Sequence, residues 1–160
     1  MPVRNSPPSN PKARILLVDD NAHGLSARKT VLEELGHRIV TAPSGVEALD
    51  AFSAQAFDIV VTDYKMPRMD GLALISELRK VAPHLPIILI SGYVDALGMT
   101  EVTTGADVVI QKSANEVSHL VRSVARLLRR KPAVKSASAA AAKPPSPQGA
   151  APNRTRRKTG

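Results

Sequence analysis

Cysteine is absent from the 160-residue chain, and only four residues are aromatic, two Tyr and two Phe. Without cysteine there is no disulfide framework and no thiolate metal site. Nowhere do 18 apolar residues run together, which excludes the usual membrane-spanning helix, and "MPVRNSPPSNPK" at the N-terminus is too polar and proline-rich for a signal peptide. A cytoplasmic, soluble protein with no membrane partner is the expectation. Histidine is sparse and scattered: His23, His37, His84 and His119 show no metal-ligand spacing and are expected at the surface. No internal repeat is present.

Acidic residues are missing from the ends. The net charge of +8 suggests a nucleic-acid binder until it is divided along the chain. Nine of the 22 Lys/Arg lie before residue 13 or from Lys131 onward, where no Asp or Glu occurs, leaving 13 in the middle against all 14 acidic residues. The middle is therefore nearly neutral. The segment after Lys131, "PAVKSASAAAAKPPSPQGAAPNRTRRKTG", holds a single valine among its larger apolar types. Such a composition cannot bury enough surface to offset ordering entropy. The expected organisation is a disordered segment over 1–13, one folded domain over 14–131, and a disordered basic Pro/Ala/Lys/Arg-rich tail over 132–160, with no second globular domain after it.

Within the middle, "RILLV", "RIVTA", "DIVVT", "PIILIS" and "ADVVI" are apolar runs of strand length, mostly continuous, as expected for strands covered on both faces. Helix-length segments separate them. Leu25, Leu32 and Leu35 share a face of the first, with Arg28 inside that arc and expected to snorkel. Val46, Leu49 and Phe52 mark the second, after Ser44 as N-cap; Leu72, Ile75 and Leu78 mark the third. The last carries a stripe from Val117 to Leu128, with Arg122, Arg126 and Arg129 away from it on a solvated face. The fourth, "VDALGMTEVTTG", is weakened by Gly98 and the β-branched run Val102 to Thr104.

Five strand–helix repeats predict a doubly wound, three-layer α/β domain with a parallel sheet, whose ligands bind beyond the carboxyl ends of the strands. At those ends the chain places Asp19 and Asp20, then Asp63, Ser91 and Lys112. Taken singly, each is more simply a turn, cap or solvated residue. Their joint occurrence at one sheet edge is not.

With "ILLVDDN", "DIVVTDYKMPRMDGLALI", "PIILISGY" and "GADVVIQK" in this order, the sequence resembles the receiver domain of two-component response regulators over roughly Arg14 to Arg130. The resemblance implies a flavodoxin-like (βα)5 fold with strand order 2-1-3-4-5. It implies that Asp63 accepts a phosphoryl group from a phosphohistidine on a sensor histidine kinase or phosphotransfer protein. It also implies that Asp20 and Asp63 bind Mg²⁺ directly, Asp19 mainly through water, and the main-chain carbonyl of Lys65 as a further ligand. The residue types suit that chemistry. A carboxylate approaching a phosphoryl group needs a divalent cation to relieve repulsion, and Mg²⁺ prefers a few hard oxygen ligands. Lys112 can neutralise a phosphoryl oxygen, and the Ser91 hydroxyl can donate to another.

Lys65 and Tyr93, two residues beyond Asp63 and Ser91, occupy positions that tune phosphoryl lifetime in the family. Pro67 and Gly71 are read as structural, and Met66 and Met69 as packing residues. Val109 stands where many receivers have a rotating aromatic, so coupling is expected to run through Ser91 and the weak fourth helix. Ser113 replaces the usual proline, so a trans Lys112–Ser113 bond is expected. Ser113 should then open the last helix as N-cap, with Glu116 completing a capping box.

The expected function is a non-enzymatic, single-domain response regulator acting on an unidentified downstream protein through the fourth helix, fifth strand and fifth helix. The alternative is a nucleic-acid-associated regulator whose basic tail binds phosphates and whose receiver modulates binding. That tail lacks aromatics for base stacking.

Overall fold

A computed structural model describes residues 12–130. The N-terminal segment to residue 11 and the basic tail from residue 131 lie outside the described residues, and with them the expectations of disorder and of nucleic-acid binding.

Eleven elements follow one another in the described residues: β1 (Arg14–Val18), α1 (Ala22–Glu34), β2 (Arg38–Ala42), α2 (Gly45–Ala54), β3 (Ile59–Asp63), α3 (Gly71–Val81), β4 (Ile87–Ser91), α4 (Val94–Leu97), α5 (Glu101–Thr104), β5 (Val108–Gln111) and α6 (Glu116–Arg129). The strands form one parallel sheet in the order β2-β1-β3-β4-β5. The flavodoxin-like fold expected from the sequence is the fold observed.

Side chains alternate across the sheet, and this builds two cores. Leu16, Val18, Val60 and Leu89 point to the layer containing Leu74, Ile75 and Leu78 of α3. Ile15, Leu17, Val61, Ile88 and Ile90 point to the layer containing Leu32 of α1 and Leu120, Val124 and Leu127 of α6. Strands β3 and β4 are buried at every residue, which explains their uninterrupted apolar runs. Each fully buried Leu or Ile contributes roughly 1.5–3 kcal/mol, so the central strands are the rigid frame of the domain.

Helix starts follow local chemistry. Asn21 caps α1 by accepting from the His23 and Gly24 amides, Ser44 caps α2 as expected, and Asp70 caps α3 through the Ala73 amide. The fourth helical segment is broken in two: α4 ends at Gly98, which is left-handed with φ 58°, and α5 restarts behind a Thr100–Thr103 capping box. Gly98 thus breaks the segment as the sequence suggests, whereas the β-branched residues Val102 to Thr104 lie within the helical turn of α5.

Several expectations are corrected. Leu35 and Val46, placed on apolar faces, are 39% and 52% exposed, one lying at the C-cap of α1 and the other in the first turn of α2. Arg28 does not snorkel, and is buried. The Lys112–Ser113 bond is trans, as are all described peptide bonds. Yet the capping box at α6 does not form: the N-cap is Asn115, without a side-chain cap bond, and the Ser113 hydroxyl accepts from the Asn115 amide at 3.2 Å.

His37 is also buried rather than on the surface, while His23, His84 and His119 are exposed. Its Nδ1 accepts from the Ala13 amide at 3.2 Å, and the Ala13 carbonyl accepts from Arg38 at 2.8 Å, so Ala13 belongs to the folded body. Burial lowers the His37 pKa below the ordinary 6.5. The neutral ring is favoured in the folded chain, so the unfolded chain takes up a proton first as pH falls. His37 is therefore expected to contribute fully above pH 6.5 and to lose that contribution as pH drops below it. His37→Asn, which keeps an acceptor near Ala13, should flatten the fall in stability between about pH 7 and about pH 5.5 measured by urea denaturation. An unchanged pH profile would contradict this.

Candidate functional site

Strands β1, β3, β4 and β5 end on the same edge of the sheet, and Asp19, Asp20, Asp63, Lys65, Ser91, Tyr93 and Lys112 line one open cleft there of about 440 Å³, joined by Asn21 and Gly92. All seven site residues singled out from the sequence are brought together. Asp63 ends β3 with 3% exposure, Asp19 follows β1 with 1%, and Ser91 ends β4 with 1%. Asp20 and Lys65 are exposed at the mouth.

Carboxylate oxygens of Asp19, Asp20 and Asp63 lie within 4.8 Å of one another. Lys112 Nζ approaches Asp63 Oδ1 to 2.7 Å. The contact lacks hydrogen-bond geometry, so Oδ1 is buried without a directional donor. Burial raises the Asp63 pKa; the Lys112 contact opposes it, the charge on Asp19 adds to it, and Lys112 and Arg28 draw it back, leaving it above the ordinary carboxylate value. A hard divalent cation fits this donor set: three close carboxylates, one holding a buried oxygen short of a donor. Asp19, Asp20 and Asp63 are the side chains able to hold it.

Ser91 is fixed without spending its hydroxyl hydrogen. Its Oγ accepts from the Tyr93 amide at 2.9 Å, and its carbonyl accepts from the Lys112 amide at 2.9 Å, tying β4 to the residue after β5. Beside it, Lys65 Nζ bonds the Tyr93 hydroxyl at 3.2 Å and lies 5.4 Å from the ring centroid, while Tyr64 meets the same ring edge-on. Lys65 and Tyr93 thus make one wall from two different loops. Met66 is buried and Met69 packs against the core, as their packing role required. Val109 is half-buried against the α3 layer.

Two residues of this region were missed by sequence reasoning. Arg28 Nη1 bonds Asp19 Oδ2 at 2.7 Å, and its Nε and Nη2 take Glu116 Oε1 at 2.7 and 2.6 Å. Desolvation lowers the guanidinium pKa, but the bonds and charges of Asp19 and Glu116 outweigh it and the net shift is upward. The available signal was a charge within an apolar helical arc. Its remote partner carried none.

Residues 15–125 match the response regulator receiver domain family. The chain is 35% identical over 118 residues to the probable transcriptional regulator ycf27 of Guillardia theta, covering 72% of this chain and 46% of that protein. It is 36% identical over 85 residues to the transcriptional regulatory protein GlrR of Escherichia coli K12, covering 53% of this chain and 19% of that protein. The chain thus spans less than half the length of these curated relatives. Among solved structures, it is similar to the response regulator TrrA of Thermotoga maritima in complex with Mg²⁺–BeF, with TM-score 0.65, 35% identity and coverage of 71% of this chain and 97% of that one. The receiver domain of Francisella response regulator 1452 is similar with TM-score 0.68, 30% identity and coverage of 74% and 98%.

Gly71 sets the position of the Asp63 main chain. Its amide donates to the Tyr64 carbonyl at 2.7 Å, and a Cβ there would overlap the Asp63 carbonyl oxygen and come within 2.9 Å of Leu89. Gly71→Ala is expected to cost about 2 kcal/mol by overpacking. Gly92→Ala, where nothing lies within 4 Å, should change stability by less than about 1 kcal/mol. Denaturant titration of both compares them, and equal effects would contradict the crowding argument.

Proposed function

Because this chain belongs to the response regulator receiver domain family of two-component systems, we propose that it is a phosphoryl-accepting switch with Asp63 as acceptor. The donor is a phosphohistidine on a sensor histidine kinase or phosphotransfer protein. One observation carries the reading: Asp63, at the end of a fully buried strand, faces two further carboxylates, a lysine ammonium 2.7 Å away and a serine with an uncommitted hydroxyl hydrogen in the same cleft.

In the reaction an Asp63 oxygen forms a bond to phosphorus as the donor P–N bond breaks, leaving an acyl phosphate on the chain, while the departing imidazole nitrogen takes up a proton from water. Lys112, already beside Asp63, balances the charge that arrives. Ser91 donates its hydroxyl hydrogen to a phosphoryl oxygen. Asp20 and Asp63, with the Lys65 main-chain carbonyl, would hold Mg²⁺ directly and Asp19 through water, consistent with the Mg²⁺–BeF bound to TrrA. Bound there, the ion supplies neutralisation of the repulsion between nucleophile and phosphoryl group. Lys65 and Tyr93, forming the wall above Asp63, limit the approach of water and so tune the lifetime. The chemistry is confined to the chain's own phosphoryl group, as befits a cytoplasmic signalling module.

Output falls to the receiver's own surface in this reading. The face of α4, α5, β5 and α6 exposes Leu97 at 56% and Val102 at 93%, apolar area suited to a protein partner. The Ser91 carbonyl bond to Lys112 and the break at Gly98 support a responsive segment that begins at the end of β4.

Acetyl phosphate with Mg²⁺ is expected to label the native chain in intact-mass measurement and to leave Asp63→Ala unlabelled; equal labelling of the two would sink the assignment. Hydrogen exchange with and without beryllofluoride should change most between Gly92 and Gly105. A change confined to the loop after Asp63 would refute this route to the output face.

A further inference from the structure

Helix α1 carries two residues that suit a helix facing the sheet poorly. Gly24 lies within it, although glycine costs about 1 kcal/mol relative to alanine in a helix interior. Arg28 is 6% exposed, in a position that would otherwise bury an apolar side chain. Both departures converge on one atom. Arg28 Nη1 is 2.7 Å from Asp19 Oδ2, and a Cβ on Gly24 would stand 2.8 Å from that same oxygen and 3.4 Å from Nη1. Gly24 makes room for the contact that Arg28 makes.

The other oxygen of Asp19 accepts from the Asn21 amide at 2.9 Å, so the carboxylate is held at both ends. The far side of the guanidinium grips Glu116 at the first residue of α6. A fixed positive charge therefore sits against a carboxylate of the cluster, and a second carboxylate draws on it from behind. Lys112 also serves the cluster, but its side chain is 39% exposed and reaches Asp63, not Asp19.

We infer that Arg28 is the resident counter-ion of the acidic cluster, a positioning residue that holds Asp19 and sets the site's affinity for Mg²⁺. The inference rests on the proposed cation site formed by Asp19, Asp20 and Asp63. Without the metal, Arg28 relieves the repulsion of the buried carboxylates. With the metal, the guanidinium and the ion share Asp19, which weakens the ion's hold. Glu116 moderates that competition by taking part of the guanidinium's charge, and so links occupancy of the cleft to the start of α6.

The two ends of the bridge then have opposite effects, which a purely structural role would not produce. Isothermal titration of the full chain with MgCl2 reads them. Arg28→Met should bind Mg²⁺ about tenfold tighter, as expected for loss of a unit charge within several ångströms. It should also melt lower in EDTA and gain more from added Mg²⁺ than the native chain. Glu116→Gln should bind about threefold weaker, because the whole guanidinium charge then falls on Asp19. Affinities that move in the same direction, or not at all, would overturn the inference. If Arg28→Met folds only with Mg²⁺, the counter-ion role is supported; if it folds in neither condition, Glu116→Gln decides, and tighter or unchanged binding overturns it. A native chain that takes up no Mg²⁺ would remove the cation site and the inference together, whereas native binding with unaltered variants removes the inference alone.

Discussion

Three carboxylates that converge within 4.8 Å repel one another, and much of the surrounding structure serves to tolerate that repulsion. Such a cluster cannot be held by flexible loops, which would splay apart. Here its members stand on or directly after β1 and β3, neighbours in a sheet packed on both faces. The rigidity of the centre is a precondition for the chemistry at the edge. Fixed cations complete the arrangement, Lys112 at Asp63 and Arg28 at Asp19.

The same constraint accounts for local choices that weaken the fold where they occur. Gly71 gives up a side chain so that the loop after β3 can return against the Asp63 carbonyl. Arg68, in that loop, adopts a left-handed conformation with φ 70°, an unfavourable state for a non-glycine residue. At the opposite end of the sheet, Arg79 shows what an arginine does when stability alone is served: it bonds the carbonyls of Pro83, Leu85 and Gly105 together with Asp107, closing helix and strand ends. Arg28 reaches carboxylates instead, and one of them belongs to the cleft.

Much of the fold was legible in the sequence because it depends on periodicity. Continuous apolar runs mark strands covered twice, and a strand end is where a short sequence motif becomes a spatial position. Hence Asp19, Asp63, Ser91 and Lys112 could be placed together before any coordinates. What could not be read depends on pairings between distant residues. Arg28 meets Glu116 within the helix layer that α1 and α6 share on one face of the sheet, and nothing near either residue announces the other. That pairing also explains why the local motif at α6 failed, since the Glu116 carboxylate committed to Arg28 is the group a capping box would have used. His37 was misplaced for a similar reason: its partner is the amide of Ala13, in a segment that looks featureless.

The order in which these parts leave the ribosome has a consequence of its own. Asp19, Asp20 and Asp63 lie in the first half of the domain, whereas Lys112 and Glu116 come after nearly all of it has been made. A nascent chain lacking β5 and α6 therefore carries the carboxylates without the ammonium at Asp63 and with the guanidinium held from one side only. The parallel pairing of β4 with β5 closes this gap late, at the sheet edge, after a long crossover. The full set of charges around the cleft is thus assembled only on completion of the domain.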